Sequence, residues 1–218
     1  FGVQEFDLNV QKRINRVQPP ELFHKILTKK VREIYKTFNF DLLIGLPGQT
    51  NESMEKTMDK VIEIRPTQLQ PALLAYKPWI AKYQIKMVKD GPLPDFFDRK
   101  QLFEIVNKKL LNAGYKRAGF ESYVLPNDPI DIARKEKKAL YNSLGLQKGA
   151  ATNFVSVGSS AKGSLGDDYY SHNCYSTIMY KQLLDEGKLP IYKGMKLTKD
   201  DKIRRHLVND IRTYFKID

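Results

Sequence analysis

Phe38-Asn39-Phe40-Asp41-Leu42-Leu43-Ile44, running into Gly45-Leu46-Pro47-Gly48-Gln49-Thr50, decides how this chain folds. The stretch up to Ile44 is short and apolar enough for a strand buried in a parallel sheet. The glycines and proline after it make a turn. Met54, Met58, Val61 and Ile62 then recur at helical spacing until Pro66 ends the helix. Upstream, Leu22, Phe23, Ile26, Leu27, Val31, Ile34 and Tyr35 predict one helix, with Pro20 in its first turn. Downstream, Leu69 to Ala75 reads as a strand in spite of Pro71, and residues 76–94 read as a loop. Phe96, Leu102, Phe103, Val106, Leu110 and Leu111 predict a third helix with Gly114 just past its end, and Tyr115 to Val124 reads as one strand.

Helices alternating with strands imply right-handed crossovers and a mostly parallel sheet, with chemistry gathered at the C-terminal ends of the strands. Gln4, Gly45 to Gln49 and Ala75 to Lys77 lie at such ends. Asp41 sits inside its strand between apolar residues, where a carboxylate must be paired or bind something.

Beyond residue 125 the pattern changes. Ile130 to Leu140 is a charged helix candidate, and Phe154 to Val157 is a short strand running into the glycine- and serine-rich Gly158–Gly166. Tyr175, Ile178, Met179, Leu183 and Leu184 predict a helix closed by Gly187. The last helix opens with Thr198 and Asp201 at capping-box spacing and is expected to bury Ile203, Leu207, Val208 and Ile211.

Composition narrows the classes. The 218 residues carry a net charge of +12, which favours anionic partners such as nucleic acid, a membrane surface or a polycarboxylate. No nucleic-acid recognition motif or interleaving of aromatic and basic residues accompanies that charge, so nucleic acid is the weakest of these partners. No apolar run approaches the ~18 residues of a membrane span. One cysteine, Cys174, excludes a disulfide framework and any cysteine-only metal site, and a reducing, cytoplasmic setting is the simplest expectation. His172 and Cys174 are two soft donors without a third, so no metal site is read there. The chain starts on Phe1 at what reads as a strand end and stops after a helical pattern, so it reads as an excerpt of a longer protein.

Several segments together resemble a known family. Phe1-Gly2-Val3-Gln4, Asn15-Arg16-Val17-Gln18-Pro19 and Asn39 to Thr50 look like the radical S-adenosylmethionine enzymes of the oxygen-independent coproporphyrinogen III oxidase family, with matching separations. Ala75-Tyr76-Lys77-Pro78-Trp79 is similar to the family's Y-A-H-x-P-W, and Leu93-Pro94, Ala113-Gly114-Tyr115 and Asp200 to Arg205 fit as well. The resemblance implies an α/β fold: the C-terminal portion of an open (β/α)6 barrel, followed by the start of a helical domain. Residues 1–125 would be the second half of the barrel, 126–197 a divergent substrate-side segment, and 198–218 the start of the helical domain.

The resemblance also implies chemistry. In the family, a [4Fe–4S] cluster reductively splits S-adenosylmethionine, the resulting radical takes a hydrogen from a substrate propionate, and carbon dioxide leaves to give a vinyl group in haem biosynthesis. Gln4, Arg16 and Asp41 match positions that contact S-adenosylmethionine, Ala75 matches a backbone contact near its adenine, and Lys162 stands where an apolar neighbour of the adenosyl group is usual. An electron-donor protein and a tetrapyrrole with carboxylate side chains are the implied partners. The family's C-x-x-x-C-x-x-C is absent and Cys174 cannot replace it, so this chain alone is expected to hold no cluster and to be inactive. The family's G-M-D-H-F-A, R-N-F-Q-G-Y and G-V-S-A-I-S read Gly119 to Val124, Tyr141 to Leu146 and Gly158 to Gly163 here. These departures keep open a relative that binds or modifies haem or another tetrapyrrole without decarboxylation.

Overall fold

The structure, a computed structural model, describes every residue except 90, 143–144, 150–152, 167 and 218. Two compact units divide the chain, residues 1–132 and 133–218.

The first unit opens with β1 (Gly2–Gln4), α1 (Leu8–Arg13), α2 (Pro20–Ile26) and α3 (Lys29–Ile34). The single helix expected across residues 20–35 is thus broken in two. Thr28 ends the continuity, because its side chain accepts from the Val31 N–H and starts a new helix. β2 (Asn39–Ile44), α4 (Asn51–Ile64) and β3 (Gln68–Leu73) follow as the sequence predicts. Thr50 and Ser53 form a reciprocal capping box at the start of α4, and Arg65 ends it in the left-handed region at φ 55°. The stretch read as a loop contains a 3-10 helix over Lys82–Val88, and α5 (Phe96–Asn112) lies beyond it.

The strand expected from Tyr115 to Val124 is instead a hairpin, β4 (Lys116–Gly119) and β5 (Ser122–Val124), folded at Phe120 and Glu121. The sheet order is β1-β2-β3-β5-β4. β1, β2 and β3 run parallel, but β5 is antiparallel to β3, so the sheet is mixed. Pro71 is tolerated within β3 because β5 pairs only with Gln68 and Leu69, leaving one hydrogen-bonding neighbour where the N–H is missing.

Phe40, Leu42 and Ile44 of β2 and Leu69 of β3 pack with Met54, Met58 and Val61 of α4 and Leu102, Val106 and Leu110 of α5. Each such burial contributes about 1.5–3 kcal/mol. The helices therefore cover one face of the sheet and leave the other to Asn39, Asp41 and Leu43.

α6 (Pro129–Lys135), shorter than expected, leads into the second unit, with β6 (Leu140–Asn142), β7 (Gly145–Gln147), β8 (Lys162–Leu165), β9 (Tyr169–Asn173), α7 (Thr177–Asp185), β10 (Ile191–Lys196) and α8 (Lys199–Tyr214). Ser143 and Leu144 of the Tyr141–Leu146 segment lie outside the described residues. β6 and β7 pair with each other, and β10, β9 and β8 form an antiparallel sheet in that order. Phe154, expected to begin a strand, makes only a bridge to Ser164. The Gly158–Gly166 loop turns out to contain β8.

α8 has the expected Thr198–Asp201 capping box but not the expected burial. Ile203, Val208 and Ile211 are exposed and the buried residues are Asn209 and Thr213. Backbone satisfaction turns the helix this way: Asn209 Oδ1 accepts from the Tyr141 N–H, and the Thr213 carbonyl accepts from Arg134 Nε. All six residues of β10 are exposed. Among the described residues no helix is long and apolar enough to cross a membrane.

Candidate functional site

On the face of the first unit's sheet away from α4 and α5, Asp41 pairs in register with Gly2 on one side and Gln70 on the other. In-register neighbours on parallel strands share a face. Gly2 therefore leaves a gap beside Asp41, and two polar side chains fill it. Gln4 has φ 68° and folds its side chain back over Gly2. A side chain at Gly2 would begin 2.8 Å from Gln4 Nε2 and 3.3 Å from Arg16 Nη2. Arg16 Nη2 donates to the Gly2 carbonyl at 2.7 Å, and its Nε donates to Gln18 Oε1 at 3.0 Å. Asp41 accepts from Asn39 Nδ2 at 2.6 Å. Gln4, Arg16 and Asp41, far apart in sequence, thus converge on one residue with too little side chain to keep them out.

Ala75 follows the end of β3, and its carbonyl accepts from Gln84 Nε2 at 3.0 Å. Gln84 Oε1 in turn accepts from the Lys77 N–H at 2.6 Å, so a buried glutamine braces the strand end from both sides. Lys162 belongs to the second unit.

A buried network that the sequence reading missed supports the strand ends. Glu5 is completely buried. Its Oε1 accepts from the Phe6 N–H at 2.7 Å, from the Asp7 N–H at 3.0 Å and from the Thr57 hydroxyl. Its Oε2 accepts from Gln49 Nε2 at 2.7 Å. Gln49 Oε1 accepts from the N–H groups of Gly45 and Leu46 at 2.7 and 2.8 Å. One carboxylate therefore fixes the end of β1, the turn after β2 and the side of α4 together. A charged residue between Val3 and Phe6 was the available signal. The turn itself lies against two arginines: a side chain at Gly45 (φ 94°) would meet Arg99 Cδ at 2.8 Å, and one at Gly48 (φ 83°) would meet Arg13 Nε at 3.0 Å.

The second unit holds a cavity of about 1180 Å³, lined by Lys162, Tyr170, His172, Lys193, Arg205 and Tyr141 among others. Asn209 brings α8 against β6 through its bond to the Tyr141 backbone, and Arg212 Nη2 donates to the Tyr141 hydroxyl at 2.8 Å with its guanidinium over the ring. Arg205 Nη1 lies 3.3 Å from the Tyr170 hydroxyl. At the unit's edge Lys202 pairs with Asp168 at 2.5 Å, and this contact holds the Asp168 carboxyl below its usual range. Among the described residues no three histidine, cysteine or acidic side chains come together as metal ligands. Cys174 is buried and in no disulfide.

No protein-family model matches the chain. Known proteins do. The oxygen-independent coproporphyrinogen III oxidase of Helicobacter pylori is 31% identical over 219 residues, covering 100% of this chain and 47% of that protein. The Pseudomonas aeruginosa protein of the same name is 32% identical over 217 residues, again across all of this chain and 47% of the relative. The solved Escherichia coli coproporphyrinogen III oxidase, described as a radical SAM enzyme, superimposes with a TM-score of 0.91 at 32% identity, covering 100% of this chain and 50% of that one. The chain spans about half the length of the curated relatives it matches. Its α/β fold is that of the corresponding half of the solved enzyme.

Proposed function

We propose that this chain is part of a radical S-adenosylmethionine oxidoreductase that oxidatively decarboxylates propionate side chains of coproporphyrinogen III to vinyl groups. The observation that carries this reading is the convergence of Gln4, Arg16 and Asp41 over Gly2, in a chain similar from end to end to enzymes of that name. The donor set fits S-adenosylmethionine. Arg16 offers a planar guanidinium suited to the carboxylate of the methionine part. Asp41 has acceptor capacity beyond its bond to Asn39, suited to ribose hydroxyls or an ammonium group. Gln4 can donate and accept, and the Ala75 backbone, braced by Gln84, offers an edge for the adenine. When bound and reduced, S-adenosylmethionine supplies a radical able to abstract hydrogen. No protein base is needed for that step, so these residues bind and orient.

This chain's residues do not fit the iron–sulfur cluster. Its one cysteine is buried, and a cluster needs several thiolates. The cluster ligands must come from elsewhere in the parent protein, an electron-donor protein must reduce the cluster, and this chain alone is inactive. Such chemistry belongs in a reducing, cytoplasmic setting.

The test is anaerobic turnover of coproporphyrinogen III by the full parent protein with S-adenosylmethionine and a reductant. Mass spectrometry should find loss of carbon dioxide and a new vinyl group. Intact substrate, with haem bound in its place, would overturn the reading in favour of a haem-handling relative.

A further inference from the structure

The sheet of the second unit sets two lysines on one face, either side of a histidine. β9 lies between β8 and β10, and His172 of β9 is in register with Lys162 on one side and Lys193 on the other. Opposed residues on antiparallel strands project from the same face, so Lys162 and Lys193 flank His172 on one face, two strand spacings or roughly 9–10 Å apart. Among the described residues neither Lys162 nor Lys193 has an ion pair, whereas nearby Lys202 is held by Asp168; Lys193 Nζ lies 5.3 Å from the centre of the Tyr192 ring. His172 does not answer the charge: its Nε2 lies 3.1 Å from the Ser160 carbonyl and its Nδ1 lies 3.3 Å from the Tyr175 hydroxyl. The ring is thereby held between the two lysine positions.

The row lies in the wall of the cavity. The next row on the same face is Ser164, Tyr170 and Met195, mostly apolar, with Arg205 beyond the Tyr170 hydroxyl. At about 1180 Å³ the cavity exceeds the ~300–1,000 Å³ of ordinary small-molecule sites. A cationic row beside an apolar one, in a space of this size, suits a large flat ligand with a carboxylate arm.

We propose that Lys162 and Lys193, held apart by His172, form a carboxylate subsite that takes a propionate side chain of the tetrapyrrole. This rests on the function proposed above and deepens it. It also reassigns Lys162, which family resemblance sets beside the adenosyl group. An ammonium gains little next to a sulfonium or an adenine, and much from a carboxylate shared with Lys193.

The full parent protein is titrated with coproporphyrin III, followed by porphyrin fluorescence, and separately with S-adenosylmethionine by calorimetry. Lys162→Met and Lys193→Met should each weaken coproporphyrin binding about tenfold, the effect of losing one charge-assisted contact. Lys162→Arg should restore it, and Lys188→Met on the exposed surface should change nothing. Affinity for S-adenosylmethionine should be unaltered throughout. If circular dichroism shows either Met variant misfolded, Lys162→Gln and Lys193→Gln carry the measurement. Unchanged coproporphyrin affinity in folded variants overturns the subsite while leaving the function standing. Weakened S-adenosylmethionine binding with coproporphyrin unaffected overturns it by assigning the lysines to the cofactor's carboxylate. Failure of the unsubstituted parent protein to bind coproporphyrin removes both the subsite and the tetrapyrrole reading.

Discussion

Glu5, just past β1, and Asp41, on the neighbouring β2, are carboxylates with opposite duties. Glu5 is sealed from solvent and saturated with donors from Phe6, Asp7, Gln49 and Thr57. Glu5→Gln turns one acceptor into a donor that faces other donors, a loss of roughly 1–3 kcal/mol. A lower denaturant midpoint should report it. Asp41 is half-buried and accepts from one neighbour, Asn39. Asp41→Asn keeps shape and should leave the midpoint in place, while S-adenosylmethionine affinity falls about tenfold to a hundredfold by calorimetry. Loss of stability with normal binding would make Asp41 a strand tie and nothing more. Tyr115 gives the molecule an alkaline limit. Burial pushes its phenol up from 10.0 to about 12, partly offset by Arg65 and Arg32, and its hydroxyl donates to the Pro66 carbonyl at 2.6 Å. The folded value is the higher one, so the protonated tyrosine's contribution is whole below pH 10 and is lost as pH rises through about 12. Tyr115→Phe should be less stable than the parent at pH 8, and the gap should close between pH 10 and 12 in urea titrations.

Among elements, the unit of β2, its turn and α4 was legible in the sequence because every local rule agreed there. Buried alternation, a glycine turn and the Thr50 cap all pointed to the same structure. Thr50→Ala should cost about 1 kcal/mol. Gly45→Ala should cost more, since it strains a φ of 94° and drives into the Arg99 side chain. Thermal denaturation of the two variants ranks them, and the reverse order would contradict the packing of Arg99. The second unit was not legible, for equally physical reasons. Every residue of β10 is exposed, so it offers no buried alternation to read. The apolar stripe of α8 faces out while Asn209 and Thr213 face in, against the usual rule. The β4–β5 hairpin read as one strand because Gly119 and its neighbours could continue a strand as easily as turn one. In the candidate site, periodicity found Asp41 as a carboxylate in need of a partner but could not bring Arg16 to the neighbouring Gly2. That depended on resemblance, and geometrically on the missing side chain of Gly2.

For the whole molecule, a net charge of +12 and an anionic ligand make ionic strength a direct probe. Coproporphyrin affinity should fall steadily as salt rises, because screening shortens the reach of the lysines to roughly 3 Å at 1 M. An affinity that stays constant to ~0.5 M would argue against any electrostatic share in recognition. The same ions act on β10. Among the described residues it is the outermost strand of its sheet, exposed along its length, with one edge paired to no other strand. Only Lys193 and Lys196 give that rim a charge. In dilute buffer they repel a second copy approaching strand to strand. In concentrated salt, or with Lys193 neutralised, the rim becomes adhesive. The protein's shelf life is therefore written into one strand: preparations kept at low ionic strength should remain clear, and Lys193→Met should scatter light first.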